Sequence, residues 1–325
     1  MIEQKPIVIV PGGLNVDLVG LGVEKIIGSG ELTLGGKFQI GPGGKARNMA
    51  EMAGSYLGPG QVAMIGRTSQ DPYGLWRVPL EALNQAGVNT EHVRIMSFEE
   101  AHEKYPGVAL IPVDKHGNNQ IYVLPGANRD FGIQDVDEAQ ELFEGSRRKT
   151  MIIALEIPIE TIAYCLEKAR AHGMRAILDP GGISGPVDEM LDEKIFLIKP
   201  NRHEARILTG IPVAGRDSAE KAARKLMDRG VQNVLLTCGK QGGYLFGRDL
   251  NEHIPCPPVD DTSVKDETGC GDQVTAVVAS SLAEGMPLRE ASRLAILAGT
   301  LQFHRAGIQP VSREDLAKSI EGGEG

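Results

Sequence analysis

Six short runs of branched and aliphatic residues constrain this chain more than anything else in it: Ile7–Val10, Val62–Ile65, Met151–Leu155, Ala176–Leu178, Ile195–Ile198 and Val234–Thr237. A strand with one face in water alternates apolar and polar residues, whereas a run without that alternation is buried on both faces. Between the runs lie stretches of helical periodicity, Pro158–His172, Asn201–Leu208 and Ser218–Arg229, the last halted by Gly230. Alternation of the two kinds predicts an α/β fold, a parallel sheet with helices on both faces.

Two stretches break the rhythm. From Asp17 to about Ile40 the chain is Gly-rich, with only short apolar pieces. Within Pro106–Leu124, the runs Val108–Val113 and Gln120–Leu124 flank Asp114-Lys115-His116-Gly117, and a tetrapeptide ending in Gly between strand-like runs reads as a β-hairpin. A small β excursion over one edge of the main sheet is therefore expected, built from about 17–40 and 106–125 and inserted in a single domain of residues 1–320. Residues 321–325, Glu-Gly-Gly-Glu-Gly, read as a frayed tail.

With 325 residues the chain is long enough for one large core or two modest domains, and 41% hydrophobic with 24% charged residues argues against disorder. A net charge of −9 and the lack of a basic run argue against nucleic-acid binding. The first apolar run is too short for a signal segment or a membrane span. Cys165, Cys238, Cys256 and Cys270 stand far apart, at no metal-ligand spacing, which fits a reducing, cytoplasmic setting. The histidines show no such spacing either.

The segment carrying most chemistry is Asp266-Glu-Thr-Gly269-Cys270-Gly271-Asp272, leading into a helical stretch, Gln273–Glu284. Glycines at a helix start let successive N–H groups point one way, an arrangement that binds anions and stabilises charge on a transferring phosphoryl group. Asp272, at the first helical position, is then placed to accept a proton from an attacking hydroxyl. Taken alone, the same pattern fits a Gly-rich turn with an N-capping Asp. Cys270, between glycines at a helix start, is a candidate for a lowered pKa or simply a small residue.

Gly41-Pro-Gly43-Gly44-Lys45-Ala46-Arg47-Asn48 enters a second helix that runs to about Leu57. It matches GxGxxA, but a dinucleotide site also needs a preceding buried strand and an acid after the next one, where Ile65-Gly66-Arg67 offers none. The glycines beside Lys45 and Asn48 equally suit a backbone approached closely by a polyhydroxylated ligand. Asn15 and Asp17, two apart after the first strand, project to one side and can read adjacent hydroxyls, or form a turn. In Lys199-Pro-Asn201-Arg-His-Glu204, the Glu can support a water-shelled Mg²⁺ or simply favour a helix start. Thr237-Cys-Gly239-Lys-Gln-Gly242 follows another strand end. No GxxxxGK[ST] is present, so a P-loop is excluded.

In their order and spacing these elements resemble the ribokinase-like (PfkB) carbohydrate kinases over nearly the whole chain. Gly-Gly-Lys-x-x-Asn matches the first family signature and Asp-x-x-Gly-x-Gly-Asp the second, with Asn201-x-x-Glu204 and Thr237-x-Gly239 between them. The resemblance implies a three-layer α/β/α sandwich with a small β lid over the sugar. It implies sugar contacts at Asn15, Asp17, Gly43, Gly44, Lys45, Asn48 and Glu156, with Asp272 as base and Gly269, Cys270 and Gly271 as anion hole. ATP would lie along Asn201, Thr237, Gly239, Gly242, Gly271 and Ile296, with Mg²⁺ supported through water by Glu204. Asp266, Thr268 and Gly307 match part of a monovalent-cation site suited to K⁺, although Val311 stands where the family has Ser and Ser312 comes one place late. A homodimer through the lid is a further implication.

Lys45, Asn48, Glu156 and Pro125-Gly-Ala-Asn128 are most similar to ribokinases within the family, and that resemblance implies D-ribose, phosphorylated on its primary hydroxyl. Ala46-Arg47-Asn48 departs from the Gly-Ala-Asn of ribokinases and is reminiscent of pseudouridine kinases. A phosphosugar substrate needs further basic residues, and Arg47 is the obvious candidate. Outside the family, an NADP-binding reductase using Gly41–Ala46 and Arg67 remains an alternative, as does a non-catalytic sugar-binding regulator.

Overall fold

The computed structural model describes residues 5–145, 149–183, 187, 190–258 and 264–322. In chain order the elements are β1 (Val8–Pro11), β2 (Asn15–Val23), β3 (Gly35–Gly43), α1 (Lys45–Leu57), β4 (Val62–Ser69), α2 (Arg77–Gln85), β5 (Asn89–Met96), β6 (Gly107–Asp114) and β7 (Tyr122–Leu124). There follow α3 (Ile133–Glu138), β8 (Thr150–Ala154), α4 (Ile159–Ala171), β9 (Arg175–Asp179), β10 (Ile195–Ile198), α5 (Arg202–Thr209), α6 (Arg216–Met227) and β11 (Val234–Thr237). The chain continues through β12 (Gly243–Gly247), β13 (Leu250–Ile254), α7 (Cys270–Ala283), α8 (Leu288–Phe303) and α9 (Arg313–Gly322). Of the expected tail, 321–322 end α9 and 323–325 lie outside the described residues.

All six uninterrupted apolar runs form strands of one nine-stranded sheet, ordered β13-β12-β11-β10-β9-β8-β1-β4-β5. The pairs from β11 through β5 are parallel, and only the β12–β13 ribbon at one edge is antiparallel. Residues along β1 show why the runs lack alternation: Val8 and Val10 join a core with α1, α2, α7 and α8, while Ile9 joins one with α3 to α6 on the opposite face. The result is the three-layer α/β/α architecture expected from the sequence.

The two irregular stretches form a separate four-stranded sheet, β3-β2-β6-β7. β2 and β3 pair antiparallel over almost their full length, from Asn15↔Gly43 to Val23↔Gly35, and β6 joins β2 in parallel. These two strands are long and regular, where the sequence suggested only short pieces. The expected hairpin exists between β6 and β7, with Val108 opposite Leu124. Its connection is longer than a tetrapeptide because Asp114 accepts from the N–H groups of His116 and Asn118, carrying the turn through to Asn118.

Candidate active site

Parallel strands leave their binding crevice at their C-terminal ends, and the sequence motifs gather there. Gly12–Asn15 follow β1, Glu156 follows β8, Asp179 ends β9, Lys199–Asn201 follow β10, and Thr237 ends β11. The N-termini of α1 and α7 face this edge. They bring together residues more than 220 positions apart: Lys45 Nζ donates to Asp272 Oδ1 at 3.0 Å, and Asn48 Nδ2 donates to Asp272 Oδ2 at 2.8 Å.

α7 begins at Cys270, not at Gln273, so Asp272 is its third residue. The cap is Gly269, in the left-handed region at φ 73°, which suits a residue without a Cβ. Asp272 is thus no N-cap; both its oxygens serve Lys45 and Asn48, and it is 4% exposed. By helix geometry the first-turn amides of Gly271 and Asp272 have no intrahelical acceptor and remain available to an anion. Of the two readings of Cys270, the small-residue one fits and the lowered pKa does not. Burial, with the charges of Asp266, Glu267 and Asp272, pushes its thiol up to about 12, so it stays protonated.

Glu156 accepts the Lys45 N–H at 2.7 Å, capping α1 from another element where its own cap residue, Gly44, has no side chain to do so. Burial pushes the Glu156 carboxyl up to about 7, against the pull of the Lys45 charge and the amides of Lys45 and Ala46. The Asp272 charge raises the Lys45 ammonium well above its usual value despite burial. The Asp17 carboxylate lies against Gly43, where a Cβ would come within 1.8 Å of its Oδ1, so only glycine leaves room for this carboxylate. Burial pushes Asp17 up to about 6, opposed by the nearby Arg47 charge. Asn15 Oδ1 accepts from Asn128 Nδ2 at 2.7 Å, and Asn128 also bonds both backbone groups of Leu14, pinning the chain after β1.

Beside Gly271 lie two residues to which the sequence assigned no role. Asp179 and Lys199 form a buried ion pair at 2.8 Å, 0% and 3% exposed. Lys199 Nζ also lies 3.3 Å from Gly271 O, while Thr275 Oγ1 lies 2.8 Å from Asp179 Oδ2 and 3.1 Å from Gly271 O. Burial alone would raise Asp179, but Lys199 and Lys45 hold it below the ordinary carboxylate range. The available signal was position alone: an acid and a lysine at the ends of adjacent buried strands.

The expected nucleotide residues line the neighbouring strand ends. Asn201 and Thr237 bridge β10 and β11, and Gly239 and Gly242 adopt φ of 56° and 81° in the tight turn after β11. Ile296 lies in the core, 4% exposed, packed under Gly243. Glu204 and Asn201 form a reciprocal capping box at the start of α5, with Glu204 Oε2 accepting from Asn201 N at 2.8 Å. Burial raises the Glu204 carboxyl, with Lys199 opposing. Among the described residues no cluster of three or more His, Cys, Asp or Glu side chains is placed to hold a metal ion. Asp266 accepts from Thr268 N at 2.9 Å and Gly307 N at 2.8 Å, and Gln302 Nε2 bonds both Thr268 O and Gly307 O. The three residues of the expected monovalent-cation site thus stand together, with Gln302 between two of them.

The GxGxxA match does not form a dinucleotide site. Gly41 and Gly43 end β3, in the small sheet, with no buried parallel strand before them. Arg67, the other residue of the NADP reading, pairs with Asp135 at 2.8 Å.

An α/β/α sandwich with a glycine-led helix start, a buried carboxylate and an adjoining strand-end crevice is the arrangement expected of a phosphotransferase of the sugar-kinase class. The chain belongs to the pfkB family of carbohydrate kinases, whose family model matches residues 7–315, and is an ATP-dependent sugar kinase. It is 30% identical to a ribokinase of Haemophilus influenzae over 94% of this chain and 95% of that protein. It is 28% identical to a deoxyribokinase of Salmonella typhi over 92% of each. The solved structure of Arabidopsis thaliana ribokinase, complexed with ribose and ATP, superposes with a TM-score of 0.85 at 27% identity, covering 98% of this chain and 99% of that one. Among the described residues no helix is long and apolar enough to cross a membrane.

Proposed function

We propose that this enzyme transfers the γ-phosphoryl group of ATP to the primary hydroxyl of D-ribose, giving ribose 5-phosphate, with Asp272 as general base. The observation that carries the reading is the convergence of Lys45 and Asn48, from the start of α1, on the Asp272 carboxylate at the start of α7. In this reading Asn15, Asp17, Gly43, Gly44, Lys45, Asn48 and Glu156 hold the sugar. Its hydroxyl approaches Asp272, which takes the proton as the new bond to phosphorus forms. In the Gly269 to Gly271 anion hole the Gly271 amide binds the phosphoryl oxygens foremost, because the Cys270 N–H already donates to Glu267 O at 3.3 Å, and the buried Asp179–Lys199 pair beneath Gly271 keeps it aimed. ATP lies along Asn201, Thr237, Gly239 and Gly242, with Ile296 supporting the pocket from below. A Mg²⁺ ion on the triphosphate would neutralise charge on its oxygens, its water shell held near Glu204. A K⁺ ion beside Asp266, Thr268 and Gly307 belongs to the same proposal.

The small sheet acts as a lid that keeps water from the phosphoryl group, within one kinase domain spanning residues 1–320. Its side away from Asp17 carries a registered apolar row, Ile40, Leu18, Leu110 and Tyr122, with three of the four well exposed. A second copy covering this row would give a homodimer, detectable by sedimentation. Four free cysteines and the use of ATP suit a cytoplasmic enzyme.

Against a phosphosugar substrate stands Arg47: fully buried and bonded to protein acceptors, it offers nothing to a substrate phosphate. The deciding experiment is ADP release measured across ribose, deoxyribose, fructose, nucleosides and phosphosugars. The proposal expects the highest kcat/KM with ribose. Preference for deoxyribose or a nucleoside would replace the substrate while keeping the chemistry; no turnover with any sugar would overturn both.

A further inference from the structure

Arg47 is the third residue of α1, where a cation opposes the positive end of the helix dipole, and it is completely buried. Removing a guanidinium from water is unfavourable unless its charge and N–H groups are matched. Here they are matched closely. Nη1 pairs with Glu51 one turn on, Nε donates to Gly43 O at 3.3 Å, and Nη2 donates to Pro42 O at 3.1 Å and to Asn48 Oδ1.

The last of these contacts matters for the reaction. A primary amide has an accepting end and a donating end, and whatever grips one end decides where the other points. With Arg47 on its oxygen, Asn48 must turn its NH₂ toward Asp272, where Nδ2 lies 2.8 Å from Oδ2. A flipped amide would set donor against donor at Arg47 and oxygen against carboxylate at Asp272. Glu51, Arg47, Asn48 and Asp272 thus form one continuous polar chain from the second turn of α1 to the first turn of α7.

We propose that Arg47, held by Glu51, is a positioning residue that fixes the Asn48 amide with its donating end toward the sugar and Asp272. This rests on the reading of Asn48 as a sugar contact and Asp272 as the base. Arg47 touches neither reactant.

The test is a double-mutant cycle. Arg47→Lys keeps the charge but loses the planar fork that reaches Glu51 and Asn48 together. Alone, it should lower ribose kcat/KM by up to about 10²-fold while ATP KM changes by less than about twofold. Added to Asn48→Ala, it should cost no more than about twofold further, because the group it orients is gone. A role confined to stability would instead add its full effect in both backgrounds, or move both KM values together. Either result overturns the proposal, as does a wild-type ribose kcat/KM for Arg47→Lys. Should that variant fail to fold, Glu51→Gln, which weakens the grip on Arg47 without emptying its site, is put through the same cycle and judged by the same criteria. If Asn48→Ala itself leaves ribose kinetics intact, the sugar-site reading falls and this proposal with it. If Asn48→Ala is damaging but the cycle is additive, only the Arg47 proposal falls.

Discussion

Replacing Glu156 with alanine should injure both stability and sugar binding, by amounts set by its place in the fold. Its Oε2 accepts the Lys45 N–H at 2.7 Å and so caps α1, whose own cap residue is glycine. Loss of such a cap costs about 1 kcal/mol, which in a chain of this size lowers Tm by about 2 °C. If Glu156 also accepts a ribose hydroxyl, the substitution leaves that hydroxyl unpaired in a closed site, at about 1–3 kcal/mol. At about 1.4 kcal/mol per tenfold, ribose KM should rise about 5- to 150-fold, with ATP KM nearly constant. Glu156→Gln separates the two effects, because its amide oxygen can still accept from Lys45 while the charge is gone. It should keep Tm and still weaken ribose binding. The assay is steady-state ADP release with each substrate varied in turn, beside thermal unfolding. A normal ribose KM with only Tm lowered would reduce Glu156 to a helix cap, and a rise in ATP KM alone would refute its placement on the sugar.

Other outcomes follow from the same geometry. Activity should require Mg²⁺, and exchanging K⁺ for Na⁺ should lower the rate; equal rates in the two salts would remove the cation from the Asp266, Thr268 and Gly307 group. The Asp17 carboxyl is raised to about 6 from 3.8, so its contribution to stability is present below pH 3.8 and lost as pH rises through about 6. Asp17→Asn should therefore gain Tm over wild type at about pH 8 and not at about pH 4, and a constant difference would contradict the burial argument. Because the Cys270 thiol is pushed up to about 12, it takes no part as a nucleophile. Cys270→Ser should keep kcat within about threefold, and a loss of about 10²-fold or more would give the thiol a catalytic part.

The main sheet was legible because each of its buried parallel strands is a short run that is apolar on both faces. Strands β13 and β5 were not, since Leu250–Ile254 and Asn89–Met96 mix exposed polar residues with buried ones. The long strands β2 and β3 were hidden by Gly20, Gly22, Gly35 and Gly36, which lower strand propensity in a sheet largely exposed to water. At the site, motif order identified the segments that meet. What it could not give were contacts made across the fold: Glu156 closing the start of α1, Asp179 and Lys199 beneath Gly271, and Arg47 on the Asn48 amide. Each depends on residues from different elements, and no local spacing records it. Cys270 shows the converse, since a helix start suggests an acidic thiol and only the burial and carboxylates around it reverse the sign.

The central claim is that Asp272 removes the proton from the sugar hydroxyl, and Asp272→Asn tests it most directly. Asparagine keeps the size and one acceptor for Lys45 or Asn48, so the fold and the start of α7 should survive, as thermal unfolding would show. It cannot take up the proton. General-base catalysis contributes about 10²–10⁴-fold, and kcat for ribose, measured by ADP release at saturating ATP, should fall by that factor while ATP binding persists. A folded Asp272→Asn enzyme retaining more than about half of the wild-type kcat would make Asp272 only an anchor for Lys45 and Asn48, and would contradict the mechanism.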